Sequence, residues 1–270
     1  MQAGQPSLTA LGAATHRAVH QVLEGGRIFE DPLALKIIGR TAEDVAGEAA
    51  GHPRGLRLFI AARTRFAEDA LAASGASQLV VLGAGLDTYA YRTALKLRIF
   101  EVDHPATQAW KRERLAAAGI AIPESLVFAP VDFERETLAD GLAKAGFDRG
   151  LRTFFTWLGV TPYLTEPAIF ATLSFVAGMR AEVVFDYANP PHSITDGDSR
   201  ALQEALAARV AAAGESFKTY FDTDDLHQRL NALGFDELED LGPSQIAARY
   251  LQRPGSTRDK GGHILRAAVG

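Results

Sequence analysis

Short apolar runs recur along the last two-thirds of the chain, bounded by glycine, proline or charged residues, with stretches of helical spacing between most of them. The runs Gln78–Gly83, Arg98–Asp103, Leu126–Asp132, Thr153–Val160, Glu182–Tyr187, Phe235–Asp240 and His263–Val269 predict strands, several of them rich in β-branched or aromatic residues. Alternating strands and helices predict a largely parallel sheet with helices on both faces, which offers ligands a place at the carboxyl ends of its strands. The last two runs differ, because only the modest stretch Leu241–Gly262 joins them and its tail Gly255–Gly262 reads as a turn. They predict a hairpin that puts one antiparallel strand into the sheet.

Residues 1–75 read as helical throughout. Within Arg54–Ser74, Leu56, Phe59, Ile60, Ala67, Ala70 and Leu71 form one stripe at 100° per residue, Arg63 falls inside it and Arg65 points away. A guanidinium on an apolar face needs a buried anion. A structural carboxylate and a ligand carboxylate are equal readings for the partner of Arg63. The expected organisation is a helical N-terminal extension or lid, 1–75, packed on a core, 76–270, in one structural unit.

Composition narrows the function. The 270 residues are 47% hydrophobic and 23% charged, ordinary for a globular chain with one large core. No run reaches the length of a membrane span and the N-terminus lacks a signal or transit pattern, so a cytoplasmic protein is expected. With no cysteine, a thiolate nucleophile, a disulfide and a Cys-based metal site are excluded. A formal net charge of −5 argues against a general nucleic-acid binder. His16 and His20 stand four apart, but no third ligand accompanies them and an exposed or capping pair is expected rather than a metal site. Phe154, Phe155 and Phe175 read as core, and Asp31 before Pro32 reads as a helix N-cap.

The chemistry concentrates in QLVVLGAGLDTYAY, Gln78–Tyr91, and RIFEVDHP, Arg98–Pro105. The first apolar run breaks at Gly83-Ala84-Gly85, and an acid, Asp103, ends the next. Glycines let the backbone approach a ligand closely, and an acid at the neighbouring strand end can accept both ribose hydroxyls. The third glycine of the dinucleotide fingerprint is replaced by Thr88. Asp87, expected in the first turn of a following helix, would repel a diphosphate but suits a ligand with an amino group. A nucleoside without phosphates and with a zwitterionic tail fits these features, and S-adenosyl-L-methionine is such a molecule.

The chain resembles the leucine carboxyl methyltransferase family of class I S-adenosylmethionine-dependent methyltransferases. The resemblance rests on DPLA at Asp31–Ala34, Ala-Arg-x-Arg-Phe at Ala62–Phe66, LGAGLDT at Leu82–Thr88, FEVDHP at Phe100–Pro105, PVDF at Pro130–Phe133 and WLGVTPYLT at Trp157–Thr165. It implies a Rossmann-like, mostly parallel seven-stranded α/β sheet with one antiparallel strand and a helical N-terminal extension. It also implies that Arg63 holds the methionine carboxylate, that Gly83, Ala84 and Gly85 line the cofactor with Asp87 and His104 beside them, and that Asp103 binds the ribose. Asp132 and Phe133 would address the adenine edge. Many members carry a glutamate where this chain has Leu158, leaving Trp157 or backbone carbonyls to meet the amino end of the methionine moiety. The basic pair of phosphatase-methylating members corresponds roughly to His16-Arg17.

Methyl transfer needs orientation and a dry site, and a carboxylate acceptor, already ionised at pH 7, needs no base. The sequence shows no Ser/His/Asp or His/Asp constellation, which favours O-methylation of a carboxylate over a hydroxyl, on a small molecule or peptide end. Arg17, Arg92, Tyr163, Tyr187 and Asn189 are the candidates for gripping the acceptor. Among them Tyr163, Arg92 and Tyr187 are the candidate catalytic residues, and Tyr163 and His104 would be the bases to examine for a hydroxyl acceptor. Two alternatives share the glycines and Asp103: an NAD(P)-dependent oxidoreductase, which would call for a third glycine and a Tyr/Lys or His pair, and a non-catalytic nucleoside-binding protein.

Overall fold

The computed structural model describes residues 7–48, 51–133, 135–212, 214–252 and 260–270. Seven strands form one mixed sheet in the order β3-β2-β1-β4-β5-β7-β6: β1 Gln78–Leu82, β2 Arg98–Asp103, β3 Leu126–Pro130, β4 Thr153–Trp157, β5 Glu182–Ala188, β6 Glu237–Leu241 and β7 Gly262–Ala268. Each lies where the apolar runs predict it, with ends shifted by up to three residues. β1 is buried along its whole length, whereas the edge strand β6 alternates between exposed and partly buried positions. That is the difference between a strand covered on both faces and one with a solvated face.

By packing, the described residues fall into two compact units, Met1–Arg65 with Ala76–Leu151, and Phe66–Gly75 with Arg152–Gly270. The first holds α1 Leu8–Leu23, α2 Ala34–Ile38, α3 Ala42–Gly47, α5 Pro105–Ala117, α6 Leu138–Lys144 and the parallel trio β1 to β3. Leu82 pairs with Val102 in register, so the turn after β1 and the last residue of β2 emerge at the same end of the sheet. Ala14, Ala18 and Val19 of α1, Ile37 of α2, Val45 of α3, Leu115 of α5 and Leu86 share one core. The N-terminal helices are therefore built onto the turn that follows β1.

The second unit holds β4 to β7 with α7 Glu166–Ala177, α8 Gly197–Ala212, α9 Thr223–Leu233 and α10 Pro243–Leu251. β4 and β5 are parallel, and β7 runs antiparallel to both β5 and β6. The last two strands are antiparallel neighbours as their spacing predicts, but α10 occupies their connection. Residues 255–259 of the predicted turn lie outside the described residues. Helix α4, Arg54–Ser74, coincides with the segment that carries the apolar stripe and contributes to both units, but the region before β1 is not helical throughout: residues 24–33 and 39–41 form turns that separate α1, α2 and α3.

Two local expectations are corrected. No α-helix follows the Gly83–Gly85 turn; a single 3-10 turn, Tyr89–Tyr91, takes its place. Asp87 Oδ1 accepts the Tyr89 amide (2.8 Å), so a short polar side chain satisfies a backbone group that a helix would otherwise have used, and the Thr88 hydroxyl donates to a remote carboxylate. The second concerns His16 and His20, which are both buried rather than exposed. His20 Nδ1 lies 3.2 Å from Glu24 Oε2, but burial dominates and lowers its pKa, while the Glu24 carboxylate is gripped by Arg57.

Candidate active site

The centre of the site is a carboxylate held by backbone. Gly83 and Gly85 both have positive φ, +64° and +44°, and the Gly83 and Ala84 amides both donate to the Val102 carbonyl. This bends the chain so that the Gly85 amide donates to Asp103 Oδ2 at 2.6 Å, while the His104 amide donates to Asp103 Oδ1 at 2.7 Å. Each oxygen spends one lone pair on an amide and keeps another, which suits two adjacent hydroxyls. Burial raises the Asp103 pKa above the ordinary aspartate value, although the two amides and Lys111 pull the other way. His104 then caps α5, its Nδ1 accepting the Ala106 amide at 3.2 Å.

Beneath this carboxylate lies a buried ion pair that the sequence reading passed over. Glu101, two residues earlier on β2, is fully buried, and its Oε2 lies 2.7 Å from Nζ of Lys111, which is 1% exposed. Burial raises the Glu101 pKa to about 7 even though Lys111 opposes the shift. An acid in the middle of the apolar run RIFEVD was the available signal, because a strand buried on both faces tolerates a charge only with a partner.

Asp31 organises the other side of the turn. Its buried carboxylate lies 3.4 Å from Arg17 Nε, accepts the Thr88 hydroxyl at 2.8 Å and the Leu33 amide at 3.0 Å, and has Arg92 Nε 3.8 Å away. Arg17 Nη2 donates to the Leu86 carbonyl at 2.6 Å. The Arg92 guanidinium also donates to Thr88 Oγ1 at 3.2 Å and lies over the rings of Phe29 and Tyr89. The expectation of an N-cap at Asp31 is corrected: α2 begins at Ala34 with Leu33 in the cap position, and Asp31 instead closes the turn before it and gathers Arg17 and Arg92 around its carboxylate.

The remaining residues expected at the cofactor have distinct surroundings. Arg63 is buried and Arg65 exposed, the phase that the helical stripe predicts, with the Arg63 guanidinium 6.0 Å from the Phe59 ring centre. Asp132 follows β3 and pairs with Arg135 at 3.4 Å, and the Phe133 ring is 58% exposed. These positions belong to the first unit, as do Gly83, Ala84, Gly85, Asp87, Asp103 and His104.

In the second unit Trp157 ends β4, buried and in ring contact with Phe185. Leu158 follows it, and the Gly159 amide donates to Asp186 Oδ1, an acid on β5 that the sequence reading did not single out. Tyr163 contacts the Phe217 ring. Tyr187 donates its hydroxyl to Asp240 Oδ2 at 2.6 Å, and burial with the Asp240 charge raises its pKa far above the tyrosine range. Asp240 also meets His263 Nδ1 at 2.9 Å and His227 Nε2 at 2.7 Å. Burial would raise the Asp240 carboxyl, but these partners outweigh it and the net shift is downward. Asn189 donates from Nδ2 to the Phe221 carbonyl at 2.9 Å and accepts at Oδ1 from the Gly261 amide at 3.0 Å.

A mixed seven-stranded sheet, with a carboxylate at the end of β2 facing a glycine turn after β1, defines a class I S-adenosylmethionine-dependent methyltransferase. The leucine carboxyl methyltransferase family model matches residues 10–177. YktD of Bacillus subtilis, assigned to the S-adenosyl-L-methionine-dependent methyltransferases, is 31% identical over 91% of this chain and 91% of its own length. A Saccharopolyspora erythraea protein with the same assignment is 33% identical over 90% of this chain and 81% of its own. Among solved structures, a DUF574-family protein of Streptomyces avermitilis aligns with a TM-score of 0.52 at 14% identity, over 95% of this chain and 97% of its own, a likeness of fold alone. The chain belongs to the leucine carboxyl methyltransferase family and is an S-adenosyl-L-methionine-dependent methyltransferase. The nicotinamide alternative is thereby set aside. Among the described residues no helix is long and apolar enough to cross a membrane, and no grouping of three His, Cys, Asp or Glu could hold a metal ion.

Proposed function

We propose that the enzyme methylates a carboxylate oxygen on a small molecule or a peptide end. The observation that carries this reading is that His104, one of the two side chains considered as bases, is already committed, its Nδ1 accepting the Ala106 amide. Tyr187, a catalytic candidate, likewise donates to Asp240, which leaves Tyr163 as the base to test for a hydroxyl acceptor. A carboxylate ionised at pH 7 brings its own nucleophilic lone pair and asks for no base. The family match over residues 10–177 supports the same acceptor class.

S-adenosylmethionine supplies a methyl group on a sulfonium. Asp103 receives the ribose hydroxyls, Gly83, Ala84 and Gly85 allow close approach, and the amide of Gly85 fixes the Asp103 carboxylate. Asp132 and the exposed ring of Phe133 address the base, Arg63 the methionine carboxylate, and Asp87 and His104 complete the set. Two checks apply. Asp103→Ala should weaken binding of S-adenosylhomocysteine at least about tenfold, since a hydrogen bond to a charged group contributes about 1.5–3 kcal/mol. Unchanged affinity would remove Asp103 from the site. Product labelled with a radioactive methyl group should release methanol in mild alkali; label that stays bound would identify an ether and overturn the carboxylate reading.

A further inference from the structure

Helix α1 meets the turn after β1 through two residues seven apart, close to two helical turns, and so on one face. A side chain on Gly85 would begin 2.9 Å from Ala10 Cβ, and Arg17 reaches the Leu86 carbonyl at 2.6 Å. The Leu86 side chain is buried with Ala14 and Ala18 in the same core. Asp31 closes the circuit, its Oδ2 lying 3.4 Å from Arg17 Nε and accepting the Thr88 hydroxyl at 2.8 Å. Three positions of the turn, Gly85, Leu86 and Thr88, are therefore fixed by groups outside it. Two of them rest on the face of α1 and the third on a carboxylate that α1 neutralises.

We infer that Arg17, Asp31 and Thr88 form a latch that makes docking of α1 and the cofactor-binding shape of the Gly83–Thr88 turn a single event, with Arg17 and Asp31 as positioning residues. The inference rests on the assignment of this turn to the cofactor proposed above. Departure of α1 would strip Arg17 from Asp31 and leave, among the described residues, Arg92 at 3.8 Å and neutral donors beside a buried carboxylate, a costly state. It would also free the Leu86 carbonyl, and a turn with two positive-φ glycines has many other shapes available. Linkage then works both ways: whatever binds the ordered turn holds α1 down, and whatever loosens α1 weakens binding. The guanidinium of Arg17 is spent on this latch and leaves the acceptor to other residues.

The test combines hydrogen exchange across Leu8–Leu23 and the 83–91 segment with calorimetry, using S-adenosylhomocysteine as the probe. In the parent, saturating probe should slow exchange in both segments. Thr88→Val removes one hydroxyl from Asp31 at nearly constant shape. It should speed exchange in both segments of the free protein and weaken the probe at least about tenfold, because the hydroxyl donates to Asp31 and accepts from Arg92, with Thr88→Ser restoring both. Asp31→Asn should do the same more strongly, and if it fails to fold, Thr88→Val decides alone. Parent-like exchange in α1 of Thr88→Val, or faster exchange with unchanged affinity, would overturn the latch. A parent that does not bind the probe would remove the cofactor assignment, while exchange in the free Thr88→Val protein would still judge the link between α1 and the turn.

Discussion

Replacing Lys111 with Met leaves Glu101 as a carboxylate with no exposure and without its ion partner, because the 2.7 Å contact to Nζ is the one salt bridge that Glu101 makes among the described residues. Removing one partner of a buried pair costs about 3–5 kcal/mol. At an unfolding entropy of about 2.1 cal/mol/K per residue, that corresponds to a fall in Tm of roughly 5–9 °C for a chain of this size. The cost should depend on pH with a definite sign. In the folded parent Glu101 is raised from 4.5 to about 7, so the folded state holds more protons across that window and the Glu101 contribution to stability falls as pH rises through it. Without the ammonium the shift grows, and the extra penalty is felt where the carboxyl would ionise. Denaturant unfolding of parent and Lys111→Met should therefore show a larger difference at pH 8 than at pH 5. The Glu101→Gln/Lys111→Met double variant should lose most of that pH dependence. A difference of the same size at both pH values would refute the reasoning, since a cost independent of Glu101 ionisation would come from lost packing alone.

Further outcomes are expected. Gly85→Ala should weaken S-adenosylhomocysteine binding and destabilise the fold, with about 1–2 kcal/mol from the positive φ alone and more from the 2.9 Å approach to Ala10; calorimetry and thermal unfolding measure the two effects. Arg63→Ala should reduce cofactor affinity sharply and Arg65→Ala much less, with adenosine, which lacks the carboxylate, binding both alike; equal losses would mean that the carboxylate lies elsewhere. The depressed carboxyl of Asp240 contributes stability that is present above the ordinary aspartate value of 3.8 and is lost as pH falls through its lower folded value. Asp240→Asn should accordingly flatten the acid limb of an unfolding profile, and an unchanged limb would show that other carboxylates govern it.

The sequence by itself determined the order of the seven strands along the chain, the helical phase of Arg54–Ser74 that buries Arg63 and exposes Arg65, and the antiparallel relation of the last two strands. The first two follow from the period of apolar positions and the third from the length of the connection, all of them local properties. It also marked Gly83, Gly85 and Asp103, because a turn that needs positive φ and an acid that ends an apolar strand are visible in the residue types themselves. Tertiary structure alone decided what fills the space around them. Asp31 lies far along the chain from Thr88 and Leu86, so no spacing rule could join it to Arg17 and the turn, and its Asp-Pro context pointed to a cap. Glu101 and Lys111 were legible one at a time, but only the packing of α5 beside β2 makes them a pair. The 3-10 turn at Tyr89–Tyr91 replaced the expected helix through one local and one remote contact. Asp87 takes the Tyr89 amide two residues on, a choice the residue type allows, while the Thr88 hydroxyl is drawn to Asp31 from far along the chain, and a pattern read along the chain contains no distance between those two groups.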